Sequence, residues 1–232
     1  MNVTGQDIIR FLDSLQCSGG GKHAYYRALK AFYNWLYSPK SSYNLNPQGN
    51  PILAVDSPKV EKRILPSLTI EQVLCLMDNA NNVRDKAIIS LFTESGLRLR
   101  ELANIRIQDI DWESRLIRVW GKGNKEALAV FGHRTELLLR QWLAEYNPNG
   151  GSIWAINKWG IVEMLQELRA KTGLPCNAHT FRRTFACLLR KAGVDTMTIK
   201  DLGRWESLEM VQRYTRSVSF QDSLKFYKAP LS

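Results

Sequence analysis

The sequence predicts a mainly α-helical protein with one small antiparallel β-sheet, divided between a short first domain and a larger second one. Apolar residues recur at helical spacing over most of the chain. Residues 115–120 and 127–131 instead alternate like strands on either side of Gly121–Lys125, which predicts a single hairpin. A proline-rich stretch over residues 39–65 separates residues 1–38 from residues 66–232, which indicates two domains.

The first domain, residues 1–38, is expected to contain two helices. Residues 4–16 are predicted to form a capped helix whose inward face carries Ile8, Ile9, Phe11, Leu12 and Leu15. Residues 22–37 are predicted to form the second helix, with a packing stripe of Tyr25, Leu29, Phe32 and Leu36. Gly19–Lys22 lacks the earlier glycine and the following Ser or Thr of a phosphate-binding loop, so we interpret it as a flexible turn.

Residues 39–65 are predicted to be an interdomain linker, because they contain four prolines among Asn and Ser residues and cannot sustain a helix. The second domain begins near Pro66, and Thr69 is a plausible N-cap for a helix ending near Asn79. Further helices are predicted over residues 83–95, 101–105, 134–146, 158–171, 178–191, 196–202 and 207–215. In the tail, Ser219 can cap a helix on which Phe220, Leu224 and Tyr227 share one face.

Composition favours a polyanionic partner. The chain has a net charge of +10 and a pI near 9.6, and both parts are basic: 8 basic against 4 acidic residues in 1–65, and 24 against 18 in 66–232. Nucleic acid is the leading candidate, although a merely basic soluble protein has the same composition. The four scattered cysteines and three histidines show no metal-ligand spacing, so no metal or cofactor is expected. With no signal peptide or membrane-spanning run, we expect a reducing, cytoplasmic, nucleoid-associated location.

Five segments carry the functional signal. They are Ser95–Leu102 (SGLRLREL), Gly121–Lys125 (GKGNK), His179–Ala186 (HTFRRTFA), Leu202–Trp205 (LGRW), and Tyr214, nine residues after Trp205. Each segment is weak evidence alone. In this order they resemble the tyrosine recombinases, also called the phage integrase family, over roughly residues 50–218. The resemblance implies a recombinase catalytic domain preceded by a short helical domain that clamps double-stranded DNA.

The resemblance implies a site-specific DNA recombinase that cleaves and rejoins DNA through a covalent 3′-phosphotyrosine, without metal or ATP. Arg98 and Arg182 would grip the phosphate, because a guanidinium binds phosphate oxygens bidentately. Tyr214 would be the nucleophile; Tyr227 is a rival that lacks the nine-residue offset. The resemblance also implies that His179 hydrogen-bonds the phosphate and assists proton removal from the tyrosine, and that Lys122, with Lys125 as competitor, protonates the 5′ oxygen. Trp205 would support the phosphate and the helix of the nucleophile, and Glu101 would orient Arg98 or its neighbours.

Residues proposed to contact DNA are Lys22, Arg27 and Lys30 in the first domain, and Lys125 and Arg183 in the second. For the three residues of the first domain, an ordinary solvated helix face is the alternative. The family resemblance implies a homo-tetramer on two DNA sites that is monomeric when free. The first domain is short for the family, so it is either compact or incomplete.

Two other functions remain open from the residues themselves. Residues 182–204 could form a helix-turn-helix with a turn at Ala192–Asp195, as in a non-catalytic DNA-binding regulator. The chain could also be an inactive relic of a mobile element. Among recombination reactions, integration, excision, inversion and dimer resolution are not distinguished.

Overall fold

The computed structural model describes residues 3–60, 65–121, 123 and 125–226. The chain divides into two compact units, Met1–Arg63 and Ile64–Ser232. Each unit has its own buried core.

The first unit contains two α-helices, α1 (Gly5–Ser14) and α2 (Gly19–Leu36). The hydroxyl of Thr4 accepts the Asp7 N–H and the Asp7 carboxylate accepts the Thr4 N–H, which fixes the start of α1 as a capping box. The hydroxyl of Ser18 caps α2 by accepting the Gly21 N–H. The predicted flexible turn at Gly19–Lys22 is therefore wrong: these residues form the first turn of α2.

The aromatic residues that α2 buries lie one position later in the sequence than the predicted ones. Tyr26 is buried and Tyr33 packs against the same core, whereas Tyr25 and Phe32 are 50% and 51% exposed. On α1, Ile8 and Leu12 are buried as expected, but Phe11 is 43% exposed. Both aromatic pairs on α2 have helical spacing, so packing against the rest of the unit decides which pair is buried.

Residues assigned to the linker complete this core. Pro47–Gly49 and Pro51–Ala54 form single 3₁₀ turns with proline in the first position, where its missing N–H has no cost. Ile52 and Val55 are buried with the helices, and the Val55 carbonyl accepts a hydrogen bond from the Tyr26 hydroxyl at 3.2 Å. At least residues 47–55 therefore belong to the first unit and are not linker.

The second unit is mainly helical with a small antiparallel sheet, as predicted, and the sheet has a third strand in addition to the predicted hairpin. The strands lie in the order β1-β2-β3, and Ile117 pairs with Ile110 on one side and Ala129 on the other. The elements are α3 (Ile70–Asp78), α4 (Val83–Ser95), α5 (Leu99–Ala103), β1 (Ile110–Asp111), β2 (Leu116–Trp120), β3 (Glu126–Val130), α6 (His133–Glu145), α7 (Lys158–Thr172), α8 (Ala178–Lys191), α9 (Thr196–Leu202), α10 (Leu208–Tyr214) and α11 (Phe220–Leu224).

Helix α4 lies at the centre of the second unit and packs against α3, α6 and α8. Ile88, Ile89, Leu91 and Phe92 are fully buried, and the Phe92 ring stacks on Phe181 of α8 with centroids 5.7 Å apart. A second cluster, formed by Phe185, Ala186, Ile199, Trp205 and Val211, holds α9 and α10 against α8. Because α8 contacts both α4 and α10, these two clusters fix the positions of the three helices relative to one another.

The tail helix α11 is capped by Ser219 as predicted, and Tyr227 of the predicted tail face lies outside the described residues. The Asp222 carboxylate is 4.0 Å from the Lys191 ammonium at the end of α8, so α11 lies against its own unit. In the described part of the chain, we find no helix with the length and apolar character needed to cross a membrane.

Candidate active site

A cavity of about 560 Å³ lies among α5, α7, α8 and α10. Arg98, His179, Arg182 and Tyr214, which come from distant parts of the sequence, line it together. The rest of its wall is largely apolar and includes Leu99, Val162, Leu165, Cys176 and Met210. Two guanidinium groups, an imidazole and a phenol around one opening can hold an anion beside a hydroxyl nucleophile.

Arg98 is placed by the sharp reversal between α4 and α5. Gly96 ends α4 in the left-handed conformation with φ of 58°, and a Cβ there would lie 2.6 Å from the Phe185 ring. Arg98 then stands at the N-cap position of α5, where its guanidinium donates to the Glu101 carboxylate at 2.6 Å. The Arg98 side chain remains 41% exposed at the cavity, so it can bind a second anion.

The Glu101 carboxylate lies behind Arg98 and is almost fully buried. It also accepts the Arg98 backbone N–H at 2.9 Å and lies 3.5 Å from the Arg204 guanidinium. Burial opposes its ionisation, but the hydrogen bonds from Arg98 and the charges of Arg204 and Arg98 outweigh this and lower the pKa of Glu101. The carboxylate is therefore ionised at neutral pH and fixes one face of Arg98.

Arg182 is 3% exposed and is the most constrained of the site residues. Its guanidinium donates to the carbonyl oxygens of Gly96 and Gly203, which end α4 and α9. Its Cζ lies 4.4 Å from the centre of the Trp205 ring, a cation–π contact. Burial, followed by repulsion from Arg98, lowers the pKa of Arg182 to about 10, so it stays protonated at neutral pH.

His179 lies in the first turn of α8, which begins where the Asn177 side chain accepts the Thr180 N–H. It is exposed, in contrast to Arg182 three residues later. Both residues nevertheless line the cavity, because residues three apart on a helix share a face.

Trp205 and Tyr214 are close to each other. Their ring centroids are 5.5 Å apart, and Trp205 also packs on Phe185 at 6.3 Å. The indole N–H of Trp205 is buried and finds no hydrogen-bond acceptor among the described residues. Tyr214 is the last residue of α10 and half-buried, and its carbonyl accepts a hydrogen bond from the Cys187 thiol at 3.1 Å.

Cys176 is the other potential nucleophile in the cavity wall. Burial raises the pKa of its thiol to about 12. Since the thiolate is the reactive form, Cys176 stays unreactive at neutral pH.

Residues 66–219, more than half of the chain, match the family model described as the phage integrase family. The chain belongs to the phage integrase family.

Individual relatives agree with this membership. The tyrosine recombinase XerC of Syntrophus aciditrophicus (strain SB) is 28% identical over 211 residues, which cover 81% of this chain and 66% of the relative. The tyrosine recombinase XerC of Actinobacillus pleuropneumoniae serotype 7 (strain AP76) is 31% identical over 196 residues, covering 78% of this chain and 63% of the relative. This integrase-family chain thus spans slightly less than two thirds of the length of the first relatives it matches.

The fold is also that of a solved recombinase structure. The crystal structure of XerH site-specific recombinase bound to palindromic difH substrate, a post-cleavage complex, matches with a TM-score of 0.75 at 20% identity. The match covers 97% of this chain and 72% of that one.

The predicted lysine of this family member, Lys122, lies outside the described residues. The strands on either side of it are defined: Trp120 pairs with Glu126, and the Gly121 N–H donates to the Lys125 carbonyl at 2.8 Å. Lys125, its competitor, is exposed in the turn. The hairpin was predicted correctly, and the choice between the two lysines stays a prediction.

The assignment of Arg183 to DNA contact is wrong. Arg183 is 7% exposed, and its guanidinium donates to the Pro66 carbonyl and the Thr180 hydroxyl, both at 3.1 Å. It faces the interior and ties α8 to the start of the unit. In the first unit, Arg27 and Lys30 are exposed, and the Lys22 ammonium donates to the Asp13 carbonyl at 3.2 Å.

Sequence reasoning missed Arg204. Its side chain is 9% exposed, and it donates to the carbonyl oxygens of Leu202, Leu128 and Ser95 while lying 3.5 Å from Glu101. It thereby connects α4, β3 and α9 behind Arg98. The φ angle of Arg204 is 56°, which is uncommon for arginine. Apart from its place beside Trp205, the sequence gives no sign that Arg204 belongs to the site.

Proposed function

We propose that this protein is a site-specific DNA recombinase of the tyrosine type, which cleaves and rejoins DNA through a covalent 3′-phosphotyrosine. The observation that carries the proposal is the cavity in which Tyr214 meets Arg98, Arg182 and His179. Membership of the phage integrase family supports the same reaction. The reaction could serve DNA integration, excision, inversion or dimer resolution.

The positive charge around the cavity suits a phosphodiester. Arg98, Arg182 and Arg204 surround a single carboxylate, Glu101, so the local charge is positive before DNA arrives. Arg98 and Arg182 would bind the non-bridging oxygens, where negative charge grows in the transition state. The hydrogen bonds to Gly96 and Gly203 hold Arg182 in place, so it does not have to reorganise during the reaction.

His179 and Trp205 supply further polar contacts in this proposal. His179 would hydrogen-bond the phosphate and assist removal of the Tyr214 proton. The unpaired indole N–H of Trp205 can donate to a phosphate oxygen but cannot act as a base. Its ring supports both Arg182 and Tyr214.

In the chemical step, the Tyr214 phenolic oxygen attacks phosphorus and a new O–P bond joins it to the 3′ phosphate. The bond from phosphorus to the 5′ oxygen breaks, and that oxygen leaves as a hydroxyl after taking one proton. Lys122 is the proposed proton donor, as the family resemblance implies, with Lys125 as the competitor. The phosphotyrosine keeps the energy of the broken ester, so rejoining by a 5′ hydroxyl requires no ATP.

The proposed partner is double-stranded DNA, as in the XerH complex. We propose a monomer in free solution that assembles into a homo-tetramer on two DNA sites, in the cytoplasm and associated with the nucleoid. The first unit would act as the second half of a DNA clamp, with Arg27 and Lys30 at its exposed surface. A non-catalytic helix-turn-helix regulator is not favoured, because it does not explain why Arg98 and Tyr214 line the same cavity.

Covalent trapping tests this proposal. The protein is incubated with a random-sequence duplex library and denatured, and the DNA attached to it is recovered and sequenced. A suicide substrate built from that sequence, with a nick beside the cleavage point, should then accumulate a protein adduct on its 3′ phosphate. The released 5′ hydroxyl should accept label from a polynucleotide kinase without prior dephosphorylation.

The matched tyrosine variants assign the nucleophile. Tyr214→Phe should abolish the adduct while leaving DNA binding intact, and Tyr227→Phe should leave adduct formation unchanged. Loss of the adduct only in Tyr227→Phe would show that Tyr227, and not Tyr214, is the nucleophile. Binding without any adduct in the unmodified protein would favour the non-catalytic regulator.

A further inference from the structure

An arginine within α5, Arg100, lines three adjoining cavities. It lines the catalytic cavity together with Arg98 and His179. It also lines a cavity of about 780 Å³ with Asn104 and Lys158, and a small one of about 80 Å³ with Arg118. Asn104 continues the series into a further cavity of about 570 Å³. These cavities share wall residues, and we call the three outside the catalytic cavity the flanking groove.

Arg100 is exposed, and its charge is not used within the described structure. No carboxylate in the described residues lies within 4.0 Å of its guanidinium, and it donates no hydrogen bond to them. Arg98, two residues earlier, is held by Glu101, and the same carboxylate takes Arg204. Among the described residues, Arg100 is therefore a cation of the catalytic cavity wall without an ion pair or a side-chain hydrogen bond.

The groove beyond Arg100 has the chemistry of a nucleic-acid surface. Lys158 is exposed, and its ammonium lies 4.7 Å from the centre of the Trp159 ring, which is 63% exposed. Arg118 in the middle of β2 is 55% exposed and lies 3.4 Å from the Glu126 carboxylate, and Trp120 on the same strand is 44% exposed. Cations interleaved with exposed indoles fit a sugar–phosphate backbone, since the cations neutralise phosphates and the rings cover deoxyribose.

We propose that Arg100 is a further DNA-positioning residue, whose guanidinium binds the backbone phosphate next to the one that Tyr214 attacks, on the side where the flanking groove begins. This inference rests on the proposed function, since it takes the scissile phosphate to lie in the catalytic cavity. Arg100 places the DNA strand and takes no part in bond making. Its planar fork suits a bidentate contact to a single phosphate.

The first test measures equilibrium binding and does not require cleavage. A fluorescent random-sequence duplex is titrated in the Tyr214→Phe background at several salt concentrations. Arg100→Ala should weaken binding about 10-fold, the scale of one charge-assisted contact, and should reduce the slope of log K against log salt by about 0.9. Arg134→Ala, an exposed arginine of α6 outside the walls of these cavities, is the matched control and should change both values less.

The second test identifies the phosphate. The trapped sequence is synthesised with a neutral methylphosphonate at the phosphate next to the cleavage point. This replacement should cost the unmodified protein as much affinity as Arg100→Ala does, and the two changes together should cost no more than either alone. Arg100→Lys should keep part of the affinity, because a lysine retains the charge but not the bidentate fork.

The outcomes separate the two proposals. An unchanged affinity and salt slope in Arg100→Ala, or losses that add to those from the methylphosphonate, would overturn the role of Arg100 even if the adduct at Tyr214 forms normally. A protein that forms no adduct, but whose Arg100→Ala variant loses affinity and salt slope, would refute the recombinase and keep Arg100 as a phosphate-binding residue.

Discussion

Gly203→Ala should disable the site through a single methyl group. Gly203 follows α9 with an ordinary φ of −83°, so alanine has no backbone strain there. A Cβ at this position would lie 1.9 Å from Cζ3 of Trp205, and 2.3 and 2.5 Å from Cε3 and Cη2 of the same ring. Ordinary contact begins at 3.4 Å, so the ring must move by about 1.5 Å, the difference between 3.4 and 1.9 Å.

That movement affects both Arg182 and Tyr214. The Trp205 ring is 4.4 Å from the Arg182 guanidinium and 5.5 Å from the Tyr214 ring, so neither can keep its position when the indole moves. A misplacement of about 1 Å can cost about 10²-fold in rate, so we expect cleavage to slow by ~10²-fold or more. Overpacking of this kind costs about 1–3 kcal/mol of folding free energy, which leaves the protein folded under assay conditions.

The measurement is single-turnover cleavage of the suicide substrate, with circular dichroism to confirm folding. Gly20→Ala is the control, because a Cβ there meets its nearest atom, the Ser18 hydroxyl, only at 3.8 Å. The three clashing atoms all belong to the six-membered ring of the indole. Trp205→His removes that ring, so the Gly203→Ala/Trp205→His double variant should cleave faster than Gly203→Ala alone. A single variant at the full rate, or a double variant that is no faster, would refute the reasoning.

Two other predictions concern the charged groups. Arg98→Ala and Arg182→Ala should each slow cleavage by at least ~10²-fold, the scale of losing one preorganised donor. EDTA should leave the cleavage rate of the unmodified protein unchanged, and inhibition by EDTA would contradict the metal-free mechanism. Because the fold lowers the pKa of Glu101, its carboxylate contributes stability that is complete above the ordinary value of 4.5 and is lost as pH falls through the lower folded value. The free energy of unfolding of Glu101→Gln, measured with urea, should therefore depend less on pH in that acidic range than that of the unmodified protein. Parallel pH profiles for the two proteins would show that the ion pairs of Glu101 contribute nothing to stability.

The second unit was predictable because its signals are local. Thr69 accepts the Gln72 N–H and Asn177 accepts the Thr180 N–H, so these caps fix helix starts within a few residues. The short strand β1 was missed because two residues carry no period, and only pairing with Ile117 defines it. In the first unit, Tyr26 is buried instead of Tyr25 because Ile52 and Val55 pack from a segment whose prolines suggested a linker.

The candidate site was predictable to the extent that its residues stand in motifs. Arg98, His179, Arg182 and Tyr214 were assigned from the resemblance of their motifs to those of the tyrosine recombinases, and the fold brings all four to one cavity. Arg204 was missed, since its role depends on three carbonyl groups that come together only in the folded chain. Arg183 was assigned to DNA contact, but it is buried. Which face of a helix is buried depends on the elements packed against it, and these are not evident from the helix sequence alone.

In the proposed reaction, the cluster around Glu101 would make the site favour the transition state over bound DNA. Arg98, Arg182 and Arg204 carry three positive charges against one carboxylate, and burial with mutual repulsion lowers the pKa of Arg182 to about 10. One positive charge is thus left uncompensated even after a singly charged phosphodiester binds. In the proposed reaction, the attack of a tyrosinate would add a second negative charge to the phosphoryl group, so the remaining attraction would grow toward the transition state. Since carbonyl groups and Glu101 already hold the guanidinium groups, this gain requires little reorganisation of the protein.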